Sequence, residues 1–338
     1  MALALRLSGV RSASNSPRVA LPAYGCPDLL SAALFSGHRV VLYDLDPQTL
    51  EPELQSLRHA LALGCSHVVV THLYGRIVDL EAVMHEAKRT GAQVIEDAAQ
   101  HAGGSLDGVR GGGQADWGVL SFGRGKGINA GGGGALLIPQ MESAASLEAL
   151  GVTPAVSGML GLARVAATEV LSHPLWFGMV KTMPGLGVGA TEFHPLSGIH
   201  VAPLTACTLL LDALAQESTL LRHRREVASY YRDALQRFPD VLFAPTASDE
   251  EQGALRFPIK LHTPPDRELE HLGVVQSYPR TLADYPQIAD VLDNPSHAWP
   301  GARQLARSVF TLPTHSRISS TVQRAIVNRL IALVSVSS

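Results

Sequence analysis

The sequence has 338 residues, 46% of them apolar and 17% charged, which allows a large buried core in one large domain with a smaller one beside it. The formal net charge of −3, with no basic cluster, argues against a nucleic-acid footprint, and no run of about 18 uncharged apolar residues marks a membrane span. The scattered cysteines Cys26, Cys65 and Cys207 show no CxxC spacing, which offers no disulfide or zinc framework and fits a reducing compartment, the cytoplasm.

The segment before Asp28 carries Arg6, Arg11 and Arg18 and no acid, a composition shared with targeting peptides. Arg6 interrupts MALALRL before an apolar stretch forms, so it reads as a helix with Leu3, Leu5 and Leu7 partly buried. Arg18 to Leu21 then reads as a short strand closed by Pro22. Pro27 and Asp28 open a helix with Leu29, Leu30, Ala33 and Leu34 on one face and Gly37 at its end. Val40 to Tyr43 is a second strand, Glu51 to Leu63 a helix, His67 to Val70 a third strand running into THLYG, and Asp79 to Thr90 a helix closed by Gly91. This alternation predicts a parallel sheet covered by helices.

The stretch from Val94 to Pro139 carries the chemistry. Two short apolar runs, Val94–Ile95 and Val119–Leu120, read as buried parallel strands. Asp97 follows the first and Ser121 the second. Lys126 lies five residues beyond Ser121 in a glycine-rich loop without an acid nearby in sequence. Ligands of such sheets bind at the carboxyl ends of the strands. A carboxylate at one strand end, with a hydroxyl and a lysine after another, suits pyridoxal 5'-phosphate (PLP). The lysine bonds the cofactor aldehyde and the carboxylate keeps the pyridine nitrogen protonated. Arg124 meets a phosphate or substrate carboxylate, or is solvated. The run Gly131 to Gly134 permits close backbone approach, and it precedes a strand rather than opening a helix, so it is no dinucleotide fingerprint. His72, Tyr74 and His315 read as packed residues, and the fourteen histidines show no ligand spacing for a metal. A hydrolase built on Ser121 fails because a nucleophile elbow needs glycine two residues to each side, and Val119 stands at one of those positions.

Beyond this stretch, Gly133 to Pro139 reads as a strand and residues from about 141 to 190 as helical, with breaks at Pro154, Pro174 and Pro184. Leu204 to Leu235 reads as one or two long helices opened by Pro203. VLFAP and LRFPIKL then read as strands, Asp266–Leu272 and Ala302–Val309 as short helices, and Ser319 to Leu333 as the last helix.

IEDAAQ followed by SFGRGKGINAGGGGALL, with the hairpin stretch Gly108 to Asp116 between them, resembles the DegT/DnrJ/StrS family of PLP-dependent sugar aminotransferases. The order and spacing match from about Pro22 to Leu137, and LPTH at Leu312–His315 resembles the family's carboxyl-terminal part. The resemblance implies the α/β fold of type I PLP-dependent transferases: a PLP-binding large domain over 1–200, then a long helix and small α+β domain over 201–338. It implies amino transfer, with glutamate as donor, to a keto-sugar nucleotide in surface-polysaccharide or amino-sugar biosynthesis, by a homodimer. It assigns Lys126 to the cofactor aldehyde, Asp97 to the ring nitrogen, Gln100 to the ring oxygen and Ser121 to the phosphate. Three positions depart from the pattern. Cys26 stands where the family has an aromatic on the cofactor ring, with Tyr24 nearby to take that place; Gly127 replaces an asparagine; and no asparagine lies near Gly198. The family's first phosphate loop lies upstream of a helix in which Met1 falls, so weak PLP binding is expected of this chain. A relative that has kept the fold and lost the chemistry is the alternative.

Overall fold

The computed structural model describes residues 1–9, 16–101, 103–123, 125–138, 152, 191–202 and 204–337. The expected helices between 141 and 190, together with Arg124, Pro139 and Pro203, lie outside the described residues.

Six strands form the central sheet: β1 (Arg18–Pro22), β2 (Arg39–Tyr43), β3 (His67–Thr71), β4 (Gln93–Asp97), β7 (Trp117–Ser121) and β8 (Gly134–Leu137), in the order β2-β1-β3-β4-β7-β8. All neighbours are parallel except β8, which runs antiparallel to β7. The short hairpin β5 (Ser105–Leu106) and β6 (Val109–Arg110) stands apart. β3 is buried at every position, which explains why it reads as a continuous apolar run. Helices α1 (Ala2–Gly9), α2 (Asp28–Phe35), α3 (Leu54–Ala62) and α4 (Glu81–Thr90) flank the sheet. Glu53 caps α3 through its carboxylate, and Gly91 closes α4 in the left-handed conformation at φ 75°, as a C-terminal glycine does. In α1, Leu5 and Leu7 are fully buried rather than partly so.

The carboxyl-terminal half comprises α5 (Leu204–Ala215), α6 (Glu217–Leu235), β9 (Arg256–Lys260), α7 (Arg267–His271), α8 (Pro300–Ser308), β10 (Val309–Pro313) and α9 (Ser320–Ser337). The long helical stretch is thus two helices. A second core joins Val227, Tyr231 and Leu235 of α6 to Phe257, Ile259, Leu312, Ile326 and Leu330. The segment carrying Tyr278, Leu282, Tyr285, Trp299 and Leu305 returns to the first core.

The structure differs from the sequence expectation at two segments. VLFAP is no strand: Pro239 opens a 3-10 turn through Val241, and Phe243 then enters the first core instead of pairing. Val309, expected as the last residue of the helix Ala302–Val309, instead opens the strand β10 (Val309–Pro313), antiparallel to β9. It follows α8 without a turn residue, so nothing in the sequence marks the change. The capping of α8 is also non-local. Asp44 at the end of β2 accepts from the N–H groups of Gly301 (2.8 Å) and Ala302 (2.6 Å).

A glycine-rich strap, 111 to 114, lies against β4 and β7 and is held by Glu96. This fully buried carboxylate accepts from His72 Nε2 (2.7 Å), Gly112 N (2.6 Å) and Gln114 N (2.8 Å). His72 Nδ1 accepts from Val78 N (3.1 Å), so its proton lies on Nε2, toward Glu96. A Cβ on Gly118 would lie 1.8 Å from Gly112 O. Gly118→Ala is therefore expected to cost about 2 kcal/mol or more through overpacking, read as a lowered urea midpoint; a change below about 0.5 kcal/mol would contradict the close approach.

Burial alone would raise the Glu96 carboxyl, but the hydrogen bonds from His72, Gly112 and Gln114 outweigh it and hold it below its ordinary 4.5. A depressed folded value means that this stabilisation is fully present above the unfolded value and is lost as pH falls through the folded one. Glu96→Gln is expected to cost about 3 kcal/mol at neutral pH, with the gap to wild type closing below about pH 4.5. A gap independent of pH in urea titrations would contradict this.

Candidate active site

The carboxyl ends of β3, β4 and β7 lie side by side, with Thr71 in register with Asp97 and Asp97 with Val119. β4 delivers Asp97, β7 delivers Ser121, and the loop that follows carries Lys126. That loop folds back on itself. Phe122 N donates to Gly133 O (3.0 Å), Ala130 N to Phe122 O (2.9 Å) and Lys126 N to Gly123 O (3.2 Å). Gly125, at φ 77°, makes the turn just before Lys126. Phe122, Ile128 and Ala130 pack on Leu209, Leu210 and Ala213 of α5, which fixes the loop from beneath.

Asp97 is 7% exposed. Its Oδ1 accepts from Ala99 N (3.1 Å) and its Oδ2 from Thr71 Oγ1 (3.3 Å). Among the described residues it has no ion-pair partner, and the half-buried Lys126 has none either. Both lie close to Cys26. Burial pushes the Cys26 thiol up to about 12, with Asp28 and Asp97 adding to the rise and Lys126 opposing it. The three side chains thus share one neighbourhood, and Cys26 is a protonated, uncharged wall of it.

Tyr24 is fully buried. Its hydroxyl lies 2.6 Å from that of Tyr74, and its ring meets Tyr278 edge-on at 5.6 Å. Gln100 joins the same cluster: Oε1 accepts from Tyr74 N and Nε2 donates to Tyr278 Oη, both at 2.7 Å. One Nε2 hydrogen is left for a ligand. Tyr74 has φ 62°, a conformation costly for a bulky residue, and Gln100 holds its backbone there. Ser121 is half-buried at the end of β7; among the described residues no hydrogen bond involves its hydroxyl. Gly131 and Gly133 have positive φ, and Gly134 begins β8. His72 and Tyr74 are packed as expected, but His315 is exposed. Tyr278 escaped the sequence reading, because nothing local marks a residue that arrives from a distant segment, and Thr71, the last residue of β3, was read only as the start of the THLYG stretch.

This arrangement fits PLP. A buried carboxylate with no ion-pair partner among the described residues, although the buried Met1 amine feels its charge, suits a protonated ring nitrogen, and an amine with no ion-pair partner among them suits an aldehyde. The Ser121 hydroxyl and the remaining Gln100 hydrogen are donors for the cofactor's oxygens.

The family model for the DegT/DnrJ/EryC1/StrS aminotransferase family matches residues 1–164 and 203–331. The chain belongs to this family. An L-glutamine:2-deoxy-scyllo-inosose aminotransferase of Streptoalloteichus tenebrarius is 36% identical over 110 residues, 32% of this chain and 26% of that protein, so the match spans about a quarter of that relative. A dTDP-4-dehydro-2,3,6-trideoxy-D-glucose 4-aminotransferase of Saccharopolyspora spinosa is 23% identical over 311 residues, 92% of this chain and 76% of that one. The crystal structure of a DegT DnrJ EryC1 StrS aminotransferase from Brucella abortus superposes with a TM-score of 0.71 at 20% identity, covering 98% of this chain and 83% of that one. The fold is that of the type I PLP-dependent transferases. No described helix is long and apolar enough to cross a membrane.

Proposed function

We propose that the chain is a PLP-dependent aminotransferase that moves an amino group, from glutamate or its amide, onto a keto-sugar nucleotide in amino-sugar biosynthesis in the cytoplasm. The observation that carries this reading is the placing of Asp97 at the end of β4 and Lys126 on the loop after the neighbouring β7, both beside Cys26 and each without an ion-pair partner among the described residues. PLP supplies an electron sink that lets a C–H bond next to nitrogen ionise. Lys126 Nζ would hold the cofactor through its aldehyde and would take and return a proton at the substrate carbon next to the reacting nitrogen. Asp97 keeps a positive charge on the ring nitrogen. Gln100 orients the ring, Ser121 holds the phosphate, and Cys26 with Tyr24 closes one side of the site. Residues 1–200 form the cofactor domain and 201–338 a long helical stretch and the small domain, whose Tyr278 to Leu305 segment packs back on the first core. The deciding experiment supplies the purified chain with PLP, glutamate or glutamine and a panel of keto-sugar nucleotides, and reads the amino sugar by mass spectrometry. Formation of an amino sugar supports the reading; no amine in any product, with cofactor bound, counts against it.

A homodimer through α5 is part of the proposal. Leu204 is 78% exposed, Leu211 70% and Leu214 40%, while the opposite face of α5 supports the Lys126 loop. Exposed leucines in a row on one helix mark an interaction face. Leu211→Glu is expected to shift the protein from dimer to monomer at micromolar concentration in light scattering; a dimer that persists unchanged would contradict the role given to α5.

A further inference from the structure

Beyond Tyr74 and Tyr278, the small-domain wall carries cations that the site described above does not use. Arg256 opens β9 opposite Pro313 of β10. Its Nε donates to Thr311 Oγ1 (2.6 Å), and Nη2 donates to Gly273 O (2.6 Å) and Thr311 O (2.9 Å). Arg224 of α6 donates through Nη1 to Leu255 O (2.9 Å) and Thr314 Oγ1 (3.3 Å). The two arginines therefore grip adjacent residues on both strands, Leu255 beside Arg256 and Thr314 beside Pro313. Every acceptor they use is a neutral carbonyl or hydroxyl. Several other arginines are answered by carboxylates, Arg18 and Arg39 by Asp293 and Arg329 by Asp266, while Arg76 and Arg225 also donate to backbone carbonyls, but not at the end of the β9–β10 pair that Arg224 and Arg256 share.

The second Nη of each arginine has no partner among the described residues, and neither is sealed from solvent. Burial lowers both guanidinium groups to about 10, which leaves them charged at neutral pH. His315, the next residue after Thr314, is exposed beside the pair. Holding two like charges together without an acid is unfavourable unless an anion joins them, and paired guanidinium forks match the oxygens of a carboxylate or phosphate. A short path leads from here to the proposed cofactor site. Arg256 bonds Thr311, Thr311 Oγ1 lies 3.4 Å from Ser277 Oγ, and the adjacent Tyr278 accepts from Gln100.

We propose that Arg224 and Arg256 form an anion-binding subsite that takes a carboxylate or phosphate group of a substrate entering beside Tyr74 and Tyr278. That the anion belongs to a substrate rests on the amino-transfer reading; the binding of an anion does not.

The test is titration calorimetry on the full chain without PLP, in low-chloride buffer, with 2-oxoglutarate and with inorganic phosphate as probes. At least one probe is expected to bind, and Arg224→Gln and Arg256→Lys are each expected to weaken it by about tenfold or more. Arg303→Gln, whose partners are Asp284 and Ala298 rather than the acceptors of the pair, is expected to change nothing. Binding of 2-oxoglutarate alone assigns the subsite to the donor's carboxylate, and binding of phosphate alone assigns it to the nucleotide. Circular dichroism checks the fold of each variant. Arg224→Gln, which gives up only two neutral acceptors, is the deciding variant if Arg256→Lys does not fold. No binding of either probe, or binding unaltered in Arg224→Gln, would overturn the proposal. A chain that binds the anion but does not take PLP would overturn the amino-transfer reading alone.

Discussion

Replacing Lys126 by alanine is expected to reduce amino transfer by at least about a thousandfold, since it removes both the covalent hold on the cofactor and the proton carrier. The protein should otherwise be unchanged. Lys126 is half-buried on a loop whose backbone bonds run between Gly123, Phe122, Ala130 and Gly133, and among the described residues its side chain has no partner whose loss would disturb the fold. Circular dichroism and the urea midpoint should therefore match wild type while turnover disappears. A variant that retains turnover within tenfold of wild type would remove Lys126 from the chemistry.

Asp97→Asn is expected to lower turnover more than tenfold while leaving PLP able to bind. The substitution keeps the shape and an oxygen for the Ala99 N–H, so the change is chiefly one of charge. Without the carboxylate, the ring nitrogen loses the partner that keeps it protonated, and each unit lost from its pKa is about 1.4 kcal/mol of electron-sink strength. The two half-reactions should slow together, because both draw on the same positive ring. An activity loss smaller than tenfold would mean that another group, or none, faces the ring nitrogen.

Much of the fold was legible because it obeys local rules. β3 and β4 announce themselves as short apolar runs, and α2 and α4 by Pro27 at the start of one and Gly91 at the end of the other. Asp97, Ser121 and Lys126 were legible for the same reason: each follows a strand that can be read alone. What stayed hidden depends on distant partners. Val309–Pro313 is a strand only because β9 lies beside it, and α8 is capped by Asp44, which lies more than 250 residues earlier (|i−j| of 257 and 258). Phe243 could enter the core only after Pro239 had turned the chain, so VLFAP matched the strand pattern and failed to pair. The tyrosine cluster and the paired arginines are of the same kind. Tyr278 meets Gln100 across 178 positions of sequence, and Arg224 beside Arg256 becomes a feature only once α6 packs on β9.

The central claim is that one particular lysine holds the cofactor. The chain has four lysines: Lys88, Lys126, Lys181 and Lys260. Lys88 is exposed on α4, and the buried Lys260 donates to Gln48 Oε1 (2.6 Å). Borohydride reduction of the chain incubated with PLP, followed by peptide mapping, reads the attachment point directly. A single phosphopyridoxyl label is expected on the peptide containing Lys126. No label there, or one distributed over Lys88, Lys181 and Lys260, would contradict it.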